Sequence, residues 1–266
     1  MEAFILAAGL GTRLRPLTTD KPKALVTVGK TTLLELAIRR VTRVGATHIV
    51  VNVHHFAPLV EDFLRQRSWP VPVDISSESQ LLLDTGGALK HAEPLFRGDG
   101  PILVYNVDVL SAFSLMEMEQ QHFKENALAT LAVSNRDTSR KLLFDTEGQL
   151  AGWRNISNGD EIMVMPNHCS KNSREPANAK GNREPIPVSS SLVEKAFSGI
   201  ACISPRLLSL LPRDDKPYPV IPQYLRLAQD YRIQAYEHPA QKWLDVGKPD
   251  TLSLAAQFIT TYGDTK

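Results

Sequence analysis

The chain has 266 residues, enough to bury a sizeable core and close to the upper size of one α/β domain. Hydrophobic residues are 42% and charged residues 22%, and a net charge of +1 leaves no bulk electrostatic case for nucleic acid or an anionic membrane surface. The two cysteines, Cys169 and Cys202, form no CxxC pair, which argues against a disulfide framework and for a reducing, cytoplasmic setting.

The apolar start lacks the basic region and cleavage site of a secretory leader, and no run approaches the roughly 18 apolar residues of a membrane span. Short apolar runs alternate with helical periodicity, which predicts an α/β fold with a mainly parallel sheet and helices on both faces. A first strand (Phe4, Ile5, Leu6, Ala7, Ala8) ends in Gly9-Leu10-Gly11-Thr12, with cations following at Arg13, Arg15, Lys21 and Lys23. Thr32 to Glu35 reads as a capping box opening a helix that ends at Gly45, with Arg39, Arg40 and Arg43 on a solvated face. His48–Val53 is the next strand, a helix covers about 57–67, and a short strand follows near 73–75.

Asp84-Thr85-Gly86-Gly87-Ala88-Leu89 reads as a loop passing into a helix. Residues 102–105 form a strand ending in Asn106-Val107-Asp108-Val109, and Ser114 to Glu117 is a second capping box on a helix to about Lys124. A strand at 128–133 precedes a hairpin, 142–144 with 149–153, turning at Glu147-Gly148. Periodicity disappears over 166–190, which reads as a mobile insertion rather than a structured lid in an otherwise single domain, 1–266. A strand at 196–203, helices near Pro205 and over 221–228, and a strand at 232–237 follow. Trp243 to Gly247 then leads into a closing helix from Pro249, with Leu252, Ala255, Ala256 and Ile259 on its buried side.

Glycine at a strand end lets backbone N–H groups approach phosphate closely, and nearby cations match the charge. A dinucleotide fingerprint would need glycine where Leu14 stands, and a P-loop ending in Gly29-Lys30-Thr31 would need glycine where Ala24 stands. Adjacent His54 and His55 would face opposite ways along a strand end, which argues against a shared metal.

LAAGLGTRLRPLTTDKPKAL, twenty consecutive positions without a gap, resembles the opening motif of the sugar-1-phosphate nucleotidyltransferases. The resemblance implies a Rossmann-like fold with a small β-hairpin subdomain on the sugar side. It also implies a reaction in which an NTP and a sugar 1-phosphate give an NDP-sugar and pyrophosphate. On it, Ala8, Gly9, Gly11 and Thr12 wrap the triphosphate, Arg13 stabilises the leaving pyrophosphate, and Lys23 contacts phosphate. Such chemistry rests on positioning and fixed positive charge.

Asp108 and Asp245, in YNVDV and WLDVGKP, match the two family positions that hold Mg²⁺ between nucleotide and sugar phosphate; Asp108 then counts with Arg13 and Lys23 as catalytic. DTGG matches the base-binding loop, giving Gly86 and Gly87 as nucleotide contacts with Glu78 or Gln80 upstream; Gln80 is carried as the contact. Phe197-Ser198-Gly199-Ile200 matches the strand lining the sugar pocket, so Ser198 and Gly199, with Asp245, are expected on the sugar. Many relatives carry Glu-Lys-Pro before that strand; here Glu194-Lys195 is followed by Ala196. The pattern looks closest to the branch acting on UTP and N-acetylmuramic acid 1-phosphate, which serves cell-wall synthesis. Guanylyl transfer to mannose or heptose 1-phosphate is the alternative, and a non-catalytic nucleotide-sugar-binding homologue is the alternative from another class. Expected partners are these small molecules alone, with the protein a monomer or homodimer.

Overall fold

The apolar run at the start of the chain is the central strand of a mixed, mostly parallel sheet. The computed structural model describes residues 1–165, 192–213 and 216–263. The expected insertion at 166–190, with Cys169, lies outside the described residues.

In chain order the strands begin with β1 (Glu2–Leu6), β2 (Thr27–Val28), β3 (Thr31–Thr32), β4 (Ile49–Val53), β5 (Val73–Ser77), β6 (Ile102–Asn106) and β7 (Val109–Ser111). They continue with β8 (Ala129–Ser134), β9 (Arg140–Phe144), β10 (Leu150–Asn155), β11 (Glu161–Met163), β12 (Val193–Ile203), β13 (Ile233–Glu237) and β14 (Trp243–Asp245). The helices are α1 (Leu33–Arg43), α2 (Ala57–Arg65), α3 (Asp84–Ala92), α4 (Leu115–Lys124), α5 (Arg206–Leu210), α6 (Val220–Leu227) and α7 (Pro249–Tyr262).

β5, β4, β1 and β6 are parallel neighbours in that order. β12 joins antiparallel to β6, β8 pairs antiparallel with β12, and β13 runs parallel to β8. The N-terminal part of β12 also pairs with β9, which extends into β10 and β11 as an antiparallel meander. That pairing explains why β12 starts at Val193 rather than at 196: Val193 is exposed and Glu194 and Lys195 are only partly buried, so the segment's hydropathy carries little strand signal.

Alternation along the strands divides the core between the two faces. Ala3, Ile5, Ile49, Val51 and Val53 point into one cluster with α1, α2, α4 and Ala255 of α7. Phe4 and Val50 point into the other with α3, α5 and α6. In α1, Leu33, Leu34, Ile38 and Val41 are fully buried, each worth about 1.5–3 kcal/mol of transfer free energy. The N-cap half of each capping box forms: Thr32 accepts from the Glu35 amide and Ser114 from the Glu117 amide, while the Glu35 carboxylate bonds Arg39 and that of Glu117 bonds Tyr236.

Two expected faces differ. Arg40 is half-buried, donating to Ser111 Oγ and to the Phe113 carbonyl, because α1 lies against β7 and that strand covers part of this face. In α7, Ala255 is buried while Ala256 is exposed, since the helix covers the sheet with a narrow stripe.

At the N-terminal end of β1, away from the strand ends that face the site, Glu2 is 2% exposed and accepts from the Arg97 and Gly98 amides and from His48. His48 also bonds Asp74. Burial alone would raise the Glu2 carboxyl, but the His48 bond and the two amides hold it below its ordinary value of 4.5. Its stabilising contribution is therefore fully present above that value and lost as pH falls below it through the lower value of the folded state. Denaturant melts from pH 7 down to pH 3 should show wild type losing its stability advantage over Glu2→Gln below about pH 4.5. A pH-independent difference would remove Glu2 from this role.

Candidate active site

β1 ends beneath a loop whose backbone is fixed by a buried side chain from the next strand. Asn52, at the end of β4, accepts from the Ala7 and Ala8 amides at 2.6 and 3.3 Å and donates to Glu78 Oε1 at 2.7 Å. Glu78 Oε2 accepts from the Leu83 amide at 2.9 Å. Both oxygens of Glu78 are thus used in tying the glycine loop to the loop before α3. Gln80 is exposed and lines a neighbouring cleft on the other side of that loop, with Lys90 and His91.

Gly11 has φ +64, and a Cβ there would stand 3.0 Å from Lys23 Cβ and 3.1 Å from Thr18 Cγ2, so the turn closes onto the Pro22-Lys23 segment. Thr18 Oγ1 donates to the Gly11 carbonyl at 2.8 Å. Leu14, which stands where a dinucleotide fingerprint has glycine, is fully buried in the core. Thr12 is exposed on the loop.

A cleft of about 440 Å³ opens beside this loop, lined by Ala8, Gly9, Arg13, Lys23, Asn52, Glu78, Asp84, Thr85, Asn106 and Asp108 among others. Lys23 Nζ lies 2.8 Å from Asp108 Oδ2 in a nearly buried ion pair. β14 pairs with β7 so that Asp245 lies opposite Val109, and the Val246 amide donates to the Asp108 carbonyl. This short antiparallel pair brings two carboxylates from distant parts of the chain together. Arg13 reaches 4.0 Å from Asp245 Oδ2.

Gly247 stands where they meet. A Cβ on it would lie 2.7 Å from Asp245 Oδ1, 2.8 Å from Asp108 Oδ2 and 2.9 Å from an Arg13 guanidinium nitrogen. The glycine leaves open a gap onto which two carboxylate oxygens face, and Lys23 already sets a positive charge against one of them. Oxygen donors of this kind suit a hard divalent cation. Among the described residues no three His, Cys, Asp or Glu side chains gather, so a cation here would rely on two carboxylates and complete its shell with phosphate oxygens.

Gly86 and Gly87 lie inside the first turn of α3, where the sequence has them opening a helix. A Cβ on Gly86 would be 2.5 Å from the Tyr218 ring and 2.9 Å from the Tyr218 carbonyl, which accepts from both glycine amides. The flat ring these glycines admit is the chain's own tyrosine. Asp84 precedes them at φ +58.

On the opposite wall, Ser198 is 1% exposed and its Oγ lies 2.8 Å from His238 Nε2. Burial lowers the His238 pKa, which keeps the ring neutral and lets Nε2 accept the serine hydroxyl. Ser198 therefore points into the protein rather than into the cleft. Gly199 has φ +71, and a Cβ would be 2.6 Å from the Asn106 side-chain amide. Lys195 is bound to Asn135 Oδ1 at 2.9 Å and Glu237 Oε1 at 2.7 Å. His54 Nδ1 donates to the Glu78 carbonyl at 2.7 Å, while the His55 ring lies tilted against Phe56.

The nucleotidyl transferase family model matches residues 2–142, just over half of the chain. The N-acetylmuramate alpha-1-phosphate uridylyltransferase of Caulobacter vibrioides is 33% identical over 258 residues, covering 96% of this chain and 95% of that one. The chain belongs to the nucleotidyl transferase family. It is a sugar-1-phosphate nucleotidyltransferase. The mannose-1-phosphate guanyltransferase of Aspergillus oryzae is 28% identical over 98% of this transferase, which spans 65% of that relative's length.

Solved structures share the fold at lower identity. HddC from Yersinia pseudotuberculosis superposes with a TM-score of 0.68 at 18% identity, covering 96% of this chain and 98% of that one. A UDP-glucose pyrophosphorylase complexed with UDP-glucose gives 0.68 at 17%, covering 100% and 99%. These likenesses fit a Rossmann-like sheet flanked by helices. Among the described residues of the transferase, no helix is long and apolar enough to cross a membrane.

Asn52, Asn106 and Gly247 are the residues that motif reading passed over. Each ends a strand or follows one, the position where open α/β sheets bind ligands, and that placement was the available signal.

Proposed function

We propose that the transferase couples UTP to N-acetylmuramic acid 1-phosphate, giving the UDP-sugar and pyrophosphate. The observation that carries this choice is the 33% identity along nearly the whole length of a uridylyltransferase for that sugar phosphate. In the proposed reaction a phosphate oxygen of the sugar substrate attacks the α-phosphorus of the NTP. A new P–O bond forms there, and the bond to the bridging oxygen breaks as pyrophosphate leaves.

Ala8, Gly9, Gly11 and Thr12 would present backbone to the triphosphate, in a cleft already lined by Ala8 and Gly9. Arg13 would receive the charge growing on pyrophosphate with a planar fork of donors, and Lys23 would act as a point charge beside Asp108. Asp108 and Asp245 would hold Mg²⁺, which when bound neutralises the approaching phosphates and fixes their orientation. Gly199 would act on the sugar side through Asn106, with Ser198 buttressing the strand behind it. Gly86 and Gly87 would shape the base side by admitting Tyr218 behind Asp84 and Thr85, and Gln80 would lie at its outer margin. A cytoplasmic role in supplying cell-wall sugar nucleotides follows from this substrate pair.

The mannose-1-phosphate guanyltransferases among the relatives supply a second reading, GTP with mannose 1-phosphate. Thermal melts with each NTP and Mg²⁺ discriminate them, because a ligand bound by the native state alone raises the melting temperature. UTP should shift it most. A larger shift with GTP would favour the second reading, and no shift with any NTP would count against both.

A further inference from the structure

The bulge in β12 at Phe197–Ala201 is held from three sides. Arg136 donates to the Phe197 carbonyl and lies with its guanidinium carbon 4.1 Å above the Trp243 ring. Trp243 Nε1 donates to the Ser198 carbonyl at 2.8 Å. His238 takes the Ser198 hydroxyl and stacks on Phe113 at 4.0 Å. The Phe197 and Ser198 carbonyls thus have side-chain donors, and the chain turns at Gly199 into a positive φ against the side chain of Asn106. Asn106 lines the cleft two residues before Asp108, and Trp243 lies two residues before Asp245 on the same short strand.

We propose that Arg136 and Trp243 form one clamp that positions the sugar-phosphate end of the site, setting Asn106 on one side and Asp245 on the other. The role rests on the reading of Asp245 and Gly199 as the sugar side. Stacking gives the guanidinium a fixed plane, and Trp243 joins that plane to the strand carrying Asp245. Burial lowers the Arg136 pKa, and the charge of Asp245 opposes that shift. Arg136 and Trp243 are positioning residues here; neither is assigned a bond to substrate.

The test uses the whole chain and steady-state pyrophosphate release with UTP, N-acetylmuramic acid 1-phosphate and Mg²⁺. Wild-type release shows that the substrate reading holds, and its absence is the failure of that reading rather than of the clamp. Arg136→Lys keeps the charge but loses the plane; Trp243→Phe keeps a ring face but loses the N–H donor. Each should raise KM for the sugar 1-phosphate about tenfold, with KM for UTP within about twofold. The double variant should be about as impaired as either single one, because residues acting as one unit are not additive. Unchanged KM for the sugar phosphate in both variants would overturn the proposal. So would a parallel rise for both substrates tracking a fall in melting temperature, or full additivity in the double variant.

Discussion

Asp108→Asn should lower turnover by about 10³-fold, with the fold retained and the midpoint for Mg²⁺ activation moved to higher concentration. Asp108 is 7% exposed and its Oδ2 is 2.8 Å from Lys23 Nζ. Asparagine keeps the shape and an oxygen acceptor for Lys23, so the ion pair becomes an ordinary hydrogen bond rather than a lost one. What disappears is the negative charge facing the gap at Gly247. If Asp108 served only to anchor Lys23, Asp108→Asn would cost little activity and the Mg²⁺ midpoint would stay put. Steady-state kinetics across a Mg²⁺ titration, with a thermal melt as a control, distinguishes the two.

Gly247→Ala is expected to cost about 10²-fold in kcat, the scale seen when reacting groups are displaced by about 1 Å. The added methyl would contact Asp245, Asp108 and an Arg13 nitrogen at 2.7, 2.8 and 2.9 Å, so all three must move. Gly247 is not among the glycines with positive φ, and the atoms it would strike are side-chain ends rather than core. Stability should therefore change little. Gly100→Ala is a suitable control, since its Cβ would meet nothing closer than 4.0 Å. Near-normal kcat for Gly247→Ala would mean that the three groups are not held in working positions by this gap.

The sequence made the frame legible because its signals are local. The apolar run through Leu6 is buried on both faces, and capping residues Thr32 and Ser114 sit where the Ser/Thr-x-x-Glu pattern puts them. The 147–148 turn closes a hairpin, with Gly148 at φ +71. What stayed hidden depends on pairings between distant segments. Arg40 looks like a surface cation until β7 is known to lie beside α1. Ser198 looks like a pocket residue until the bulge turns its hydroxyl onto His238. The glycine pair at 86–87 reads as room for a ligand ring, yet Tyr218, far along the chain, fills that room.

The same contrast runs through the site. Arg13, Lys23 and Asp108 were named by motif, and all three line the cleft. The meeting of Asp108 with Asp245 is a product of the β7–β14 pair, which hydropathy does not specify. Asn52 and Glu78 form a buried polar bridge whose value lies in its partners, so neither carries a signal of its own. Glu78 stood among the candidate base contacts; its two oxygens instead serve Asn52 and the Leu83 amide.

The reaction itself is open to one direct measurement: pyrophosphate release by the purified chain with Mg²⁺, across UTP and GTP combined with N-acetylmuramic acid, mannose, heptose and glucose 1-phosphates. Release should be fastest with UTP and N-acetylmuramic acid 1-phosphate, and should vanish when either substrate or Mg²⁺ is withheld. Faster release with another pair would contradict the substrate assignment, and no release with any pair would contradict catalysis by this site.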